Sequence, residues 1–382
     1  MKKIILFAAM CLSISFISAQ NTEDLLNKLV EKNVLTASEA EELRKSSTAG
    51  QQKALPAKVE KVRNFFNSPY FQMGGNGQIA YTYSDVNRIH HDFKAKNLFL
   101  IVNGKLNDSF RYGFILELVN PSVQEFWGEW TAAKEFNLKA GQFKSPFTLE
   151  SQLVPATLET TGYSRTISNL VGYAGTDDVL RLQNGKNNFG RDAGIVASGE
   201  LVPISGHSLI QYSLGVFQGT GVTTSEVNNT KDFAGMLLFQ PVMGLRIGGG
   251  AYFGQATYLM AGADAVSDHV RNRWYLSADY KSDRFNARAE WINGNDGGIK
   301  KEGVYGLGMY YLLPQKLNVL GKVDYYNRNK DVNSEVVDYT LGINYYFYTQ
   351  CRVQLNYTYS DYSNKWGAEN SNAVTAQLQI AF

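Results

Sequence analysis

From about residue 71 to the C terminus, apolar and polar residues alternate along the chain with a period of two. In the last ten residues, valine, alanine, leucine, isoleucine and Phe382 share one face, while threonine and glutamine occupy the other. Residues 350–359 and 336–347 repeat this pattern. Because successive side chains of a β-strand point to opposite faces, the pattern predicts strands with one apolar and one polar face.

Sixteen such segments predict an all-β fold, a 16-stranded antiparallel transmembrane β-barrel. Short turns such as "KSDR" and "PVMG" alternate with longer connections such as 360–372, 327–335 and 294–301. Short turns at one end and long loops at the other are typical of bacterial outer-membrane barrels. The predicted strands are 71–84, 93–106, 109–119, 122–133, 136–143, 190–202, 206–217, 231–240, 244–258, 268–280, 284–293, 302–313, 316–326, 336–347, 350–359 and 373–382.

The N-terminal 64 residues have a different pattern. Lys2 and Lys3 followed by an apolar run and small residues predict a signal peptide over residues 1–19. Residues 20–46 predict a periplasmic amphipathic helical hairpin, and 47–64 a polar linker before the barrel at 65–382.

Composition agrees with exported β-structure. Aromatic residues make up 13% of the chain, and 35 glycines against 8 prolines favour many strands. Without residues 1–19, Cys351 is the single cysteine, which excludes an intrachain disulfide. Removing Lys2 and Lys3 reduces 37 basic residues to 35, equal to the 35 acidic ones, so no nucleic-acid partner is predicted.

The longest irregular segment, from about Lys144 to Phe189, would be the third external loop. A barrel of this size encloses an aqueous channel unless something folds into it. Loops of this length in compact proteins are usually functional. We therefore expect the loop near 144–189 to fold inward and narrow the pore, with Phe143 and Phe147 as packing anchors.

Two motifs flank that loop. The sequence "GQFKSPF" at 141–147, together with "GRDAGI" at 190–195, resembles the phosphate- and pyrophosphate-selective porin O/P family of outer-membrane channels. The terminal Phe382 is similar to the signal that the barrel-assembly machinery recognises in such proteins. The resemblance implies a bacterial outer-membrane location, contact with outer-membrane lipids, a homotrimer, and a constriction that attracts small anionic solutes such as phosphate.

Candidate site residues follow from this arrangement. The loop cations that would attract anions are Lys144, Arg165, Arg181 and Lys186. The basic residues expected to face the lumen from the strands are Arg271, Arg273, Arg288, Lys322 and Arg352. Acidic residues in both places nearly balance them, whereas a phosphate selector needs a one-sided set of donors. A non-selective general diffusion porin therefore stays open as an alternative.

Other function classes have less support. The four histidines, His90, His91, His207 and His269, have no recognised hydrolase motif around them, so we expect no catalytic site. The chain also lacks a convincing set of metal ligands, and no metal or cofactor is predicted. An outer-membrane adhesin or structural anchor is a further alternative, since the amphipathic segment 20–46 would have to pack against something.

Overall fold

The computed structural model describes residues 67–171, 190–204, 206–258 and 264–382. Sixteen antiparallel strands in this part of the chain form one closed barrel, which confirms the predicted fold class. A two-residue strand, β1 (Asn67–Ser68), precedes it and pairs with the first barrel strand. The barrel strands are β2 (Phe71–Ser84), β3 (His91–Asn107), β4 (Phe110–Glu117), β5 (Ser122–Ala133), β6 (Phe136–Lys144), β7 (Arg191–Ile204), β8 (His207–Phe217), β9 (Asp232–Val242), β10 (Leu245–Tyr258), β11 (Ser267–Lys281), β12 (Phe285–Asp296), β13 (Ile299–Leu313), β14 (Leu317–Asn329), β15 (Ser334–Tyr348), β16 (Cys351–Tyr362) and β17 (Ser371–Ala381).

The barrel closes between its last and first strands. Strand β17 pairs with β2 in a register that sets Gln379 opposite Gln78. At the C terminus, Gly75 and Phe382 exchange two backbone hydrogen bonds of 3.0 Å. Since every barrel strand has a neighbour on both sides, no ladder edge remains open, as a bilayer requires of spanning strands.

The two faces of the wall differ as the alternation predicts. On β15, the outward Tyr339, Leu341 and Ile343 are exposed, and Leu341 is 67% accessible. Asp338 and Asn344, which flank this stretch and point inward, are buried. The outer surface is therefore apolar, and the interior carries the charged and amide groups.

Connection lengths confirm the predicted asymmetry but correct two of the loops. At one end of the barrel, no more than three residues separate consecutive strands. At the other end, the predicted long loops at 294–301 and 327–335 are wrong, because only Gly297–Gly298 separates β12 from β13 and residues 330–333 separate β14 from β15. Gly297 and Gly298 have φ values of 58° and 96°, which allow a two-residue hairpin.

The segment 145–190 between β6 and β7 is called loop 3 below, and its described part, residues 145–171, enters the barrel. Up to Val171 it contains the short helix α1 (Leu149–Gln152), a 3₁₀ turn (Pro155–Thr157) and helix α2 (Arg165–Leu170). Ile167 and Leu170 of α2 have no solvent exposure. They join Phe147 of loop 3 in one apolar cluster with inward residues of the wall, namely Tyr275, Ile292, Tyr305, Tyr326 and Val336. Residues 145–171 therefore fold inward, and the inward fold of the whole segment near 144–189 stays a prediction.

Several predicted features of the N-terminal part lie outside the described residues. These are the signal peptide at 1–19, the helical hairpin at 20–46 and the linker at 47–64. Within the described ranges, the helices are too short or too polar to cross a membrane.

A matched pair of substitutions on β8 tests the assignment of faces. Leu214 points outward and is 60% exposed, whereas the adjacent Ser213 points inward. In lipid, Leu214→Arg should destabilise the barrel by about 2–4 kcal/mol, because it places a charge against hydrocarbon. Ser213→Arg should cost much less, since that position faces the water-filled side. Urea titration of the barrel in vesicles measures both, and equal costs would contradict the assignment.

Candidate functional site in the barrel interior

Backbone carbonyls of loop 3 accept hydrogen bonds from wall side chains. The carbonyls of Pro155, Ala156 and Glu159 are the acceptors, and the donors lie on the adjacent strands β15, β16, β17 and β2. This pairing compensates the loop backbone for its loss of water. The donors are Gln78 to Pro155 at 3.1 Å, Arg352 and Gln379 to Ala156 at 3.0 and 3.1 Å, and Asn344 and Gln354 to Glu159 at 2.9 and 3.2 Å.

Wall carboxylates meet the N-terminal ends of both loop helices. Glu290 accepts the backbone N–H groups of Leu149 and Glu150 at 2.6 and 2.8 Å. Asp324 accepts the N–H of Arg165 and also the hydroxyl of Thr166 at 2.7 Å. The first N–H groups of a helix have no partner within it, so a carboxylate there satisfies them and complements their partial positive charge.

Three of the predicted cations are held by carboxylates. Arg165 makes a bidentate pair with Asp338 at 2.7 and 2.9 Å. Arg288 does the same with Glu159 at 2.7 and 3.1 Å, and these bonds connect the wall to loop 3. Arg273 binds Asp296 at 2.6 and 2.8 Å.

The Arg288 pair also fixes the charge of its loop partner. Burial disfavours the ionised carboxyl of Glu159, but the charge and hydrogen bonds of Arg288 outweigh burial and lower the pKa of Glu159. The pair is therefore fully ionised at neutral pH. It connects loop 3 to the wall and carries little net charge.

Lys144, the last residue of β6, contacts the beginning of loop 3. Its ammonium donates to the carbonyls of Ser151 and Leu153 at 2.7 and 2.6 Å. Phe143 and Phe147 are buried, in agreement with their predicted role as packing anchors. The other two predicted loop cations, Arg181 and Lys186, lie outside the described residues.

Besides Lys322, which donates only to the Thr160 hydroxyl at 3.5 Å, four interior cations near loop 3 have only neutral hydrogen-bond partners or none in the part of the chain that the structure describes. Arg352 bonds to the Tyr346 hydroxyl and to the Ala156 carbonyl at 2.9 and 3.0 Å. Arg271 is 7% exposed and makes no hydrogen bond there, and its guanidinium lies 5.5 Å from the centre of the Tyr252 ring.

The other two are lysines that bind loop 3. Lys96, on β3, donates to the Thr161 carbonyl and to Gln377 at 3.2 Å. Lys144 has the two loop carbonyls already given. Lys96 was not among the predicted lumen cations. The outward Phe93 and Ala95 show that this part of β3 alternates, and the alternation indicates an inward Lys96. Lys322, the remaining predicted strand cation, is also buried in the interior.

A row of charged side chains on β3–β6 was also absent from the predicted site residues. Lys105, Arg111, Glu129 and Lys139 are successive register partners on these four strands. The signal was present in the sequence, because Lys139 alternates with the apolar Leu138 and Ala140. We call these four residues the interior row.

A family model for phosphate-selective porin O and P matches residues 71–382. The chain belongs to the phosphate-selective porin O and P family. Its barrel lies in the bacterial outer membrane, and family and fold indicate a channel rather than an enzyme. Among the curated proteins, none matches this porin.

Solved structures share the fold at low identity. The anion-selective porin from Comamonas acidovorans is 13% identical, with a TM-score of 0.60 over 82% of this chain and 99% of that one. The trimer form of OmpT, an outer-membrane protein of Vibrio cholerae, is 12% identical, with a TM-score of 0.59 over 82% and 99%. The outer-membrane channel DcaP of Acinetobacter baumannii is 14% identical, with a TM-score of 0.56 over 82% and 97%.

The contact between Glu290 and helix α1 gives a test of how this porin holds loop 3. Glu290→Gln leaves only one good acceptor for two buried N–H groups. The unsatisfied N–H should cost about 1–3 kcal/mol of the free energy that holds loop 3 in place. We expect a looser loop 3, seen as noisier single-channel current and faster proteolysis within 145–171. Glu335→Gln, at the loop end of the wall, is the matched control. Identical traces for both variants would contradict the role of Glu290.

Proposed function

We propose that this porin allows small anions to diffuse passively across the outer membrane in preference to cations. One observation carries the proposal: the interior cations Lys96, Lys144, Arg271 and Arg352 have no carboxylate within ion-pair distance among the described residues. The description of the family as phosphate-selective and of the Comamonas acidovorans protein as an anion-selective porin supports the same direction.

The physical reason is the local excess of positive charge. The charge of a cation bonded only to carbonyls or hydroxyls is not offset by an opposite charge, whereas the charges of a bidentate ion pair such as Arg165–Asp338 largely cancel. Low-dielectric walls focus the field of such charges into a water-filled cleft. That field acts within roughly 10 Å at moderate ionic strength, which is comparable to the dimensions of a pore.

Phosphate specificity is a narrower question. Dehydrating phosphate requires several donors on one side, and Arg165, Arg273 and Arg288 are already occupied by carboxylates. The proposal is therefore a preference for small anions as a class. Only these neutralised ion pairs favour the alternative of a non-selective general diffusion porin.

We also propose that three copies assemble into a homotrimer. The support is the similarity of the barrel to that of the trimer form of Vibrio cholerae OmpT. The native mass of the detergent-extracted protein tests this, and a monomer mass would reject it.

Arg271→Gln should reduce the anion preference, because it removes an interior charge that has no carboxylate hydrogen-bonded to it. The reversal potential in a KCl gradient across a planar bilayer measures the change, and we expect the anion-to-cation permeability ratio to fall by about twofold. Arg284→Gln, in the exposed turn between β11 and β12, is the control and should leave the ratio unchanged. A cation-selective wild-type channel would refute the proposed function.

A further inference from the structure

The described part of loop 3, residues 145–171, leaves part of the inner wall exposed. Inward side chains on β14–β16 are shielded, since Asp324, Asn344 and Gln354 are at most 1% exposed. On the other side, the Lys139 side chain is 27% exposed and Arg111 is exposed to solvent. The wall of β3–β6 is therefore open to water near the end of the barrel that has the short turns.

The interior row lies on this open side. Register partners on neighbouring strands share a face, and the residues flanking the row, such as Leu106, Trp130 and Leu138, point outward and are exposed. The row itself therefore faces the lumen. With strands about 4.8 Å apart, four strands extend it over roughly 14 Å of wall.

Lys139 is held in place by an aromatic support. The indole of Trp127 lies against β4 at Gly113, where a Cβ atom would be 2.5 Å from the indole Cζ2. The Lys139 ammonium lies over the same ring, 4.2 Å from its centre, and 3.9 Å from a Glu129 carboxylate oxygen. Cation–π contact retains the positive charge while it orders the side chain.

Gly141 completes this arrangement on the neighbouring strand. Its φ is +136°, and a Cβ atom there would lie 2.7 Å from the Cα of Trp127. The position therefore accepts no side chain without moving Trp127. The glycines at 113 and 141 together let the indole pack closely against the wall beneath Lys139.

The charge of the row is one-sided. Lys105, Arg111 and Lys139 give three positive charges against the one negative charge of Glu129. Among the residues that the structure describes, neither Lys105 nor Arg111 has a hydrogen bond or ion pair from its side chain. A free guanidinium beside an ammonium offers several donors to the oxygens of a carboxylate or phosphate.

We propose that the interior row lines the ion path and sets the anion preference by direct contact with the permeating oxyanion. This rests on the proposed function, but it assigns selectivity to the interior row and not to the cations that contact loop 3, such as Lys96 and Lys144. The cations covered by loop 3 then contribute only a more distant field.

Cysteine accessibility during bilayer recording tests the assignment. In a Cys351→Ser background, Lys139→Cys and Arg111→Cys are exposed to an anionic methanethiosulfonate reagent. We expect rapid modification, lower conductance, and an anion-to-cation permeability ratio that falls by about twofold or more per added charge. Lys322→Cys, which loop 3 shields in the interior, is the matched control and should react far more slowly.

The outcomes separate the two proposals. Conducting, anion-preferring channels in which Lys139→Cys and Arg111→Cys stay unmodified, or react without changing the permeability ratio, would overturn the role of the row. A Cys351→Ser channel without anion preference would instead refute the proposed function, and with it this inference. Comparing chloride, phosphate and acetate as the permeating anion distinguishes general attraction from recognition of oxyanions, and equal effects on all three would reject direct oxyanion contact.

Discussion

A polypeptide in the hydrocarbon layer must find every backbone hydrogen-bond partner within the protein. The barrel satisfies this constraint by pairing β17 with β2 and by the reciprocal bonds between Gly75 and Phe382. Closure separates an apolar outer surface from an interior rich in amides and charges. That interior becomes a channel unless another segment fills part of it, and loop 3 does so.

Loop 3 faces the same requirement inside the lumen, because its backbone also loses contact with water. Glutamine, asparagine and arginine side chains of the wall donate to its carbonyls, and Glu290 and Asp324 accept from its helix ends. The wall residues that hold the loop are thereby occupied. Arg288 and its partner Glu159 illustrate this, because the ion pair stabilises the position of the loop and adds little to the field in the pore. Selectivity must then come from cations that are not paired with a carboxylate.

Much of the fold could be predicted from the sequence because strand alternation is a local property. The outward positions on β15 followed from periodicity, and the irregular segment after β6 was evident from its length. The loop at 294–301 was predicted too long, because paired glycines at 297 and 298 allow a two-residue hairpin that alternation alone does not reveal. The interior row was within reach of the same reasoning, since Lys139 lies in a clear alternating segment.

The partners of the site residues could not be predicted in the same way. Arg165 and Asp338 are 173 residues apart, and their contact depends on how loop 3 crosses the lumen as well as on strand register. Lys144 was predicted to attract anions, and the structure shows its ammonium bonded to loop carbonyls. Its role in attracting anions stays a prediction, since only the final path of the chain decides which charges are covered.

The central claim, that the described part of loop 3 is held inside the barrel against the inner wall, can be tested by one cross-link. A Cβ atom at Gly303 on β13 would lie 2.9 Å from the Cβ of Thr166 on α2, so a small shift reaches the separation of about 3.5–4.5 Å that a disulfide needs. In a Cys351→Ser background, Thr166→Cys combined with Gly303→Cys should form a disulfide spontaneously in the folded barrel and leave an open, conducting channel. A folded barrel in which both thiols stay free, or in which the cross-link closes the channel, would contradict this account.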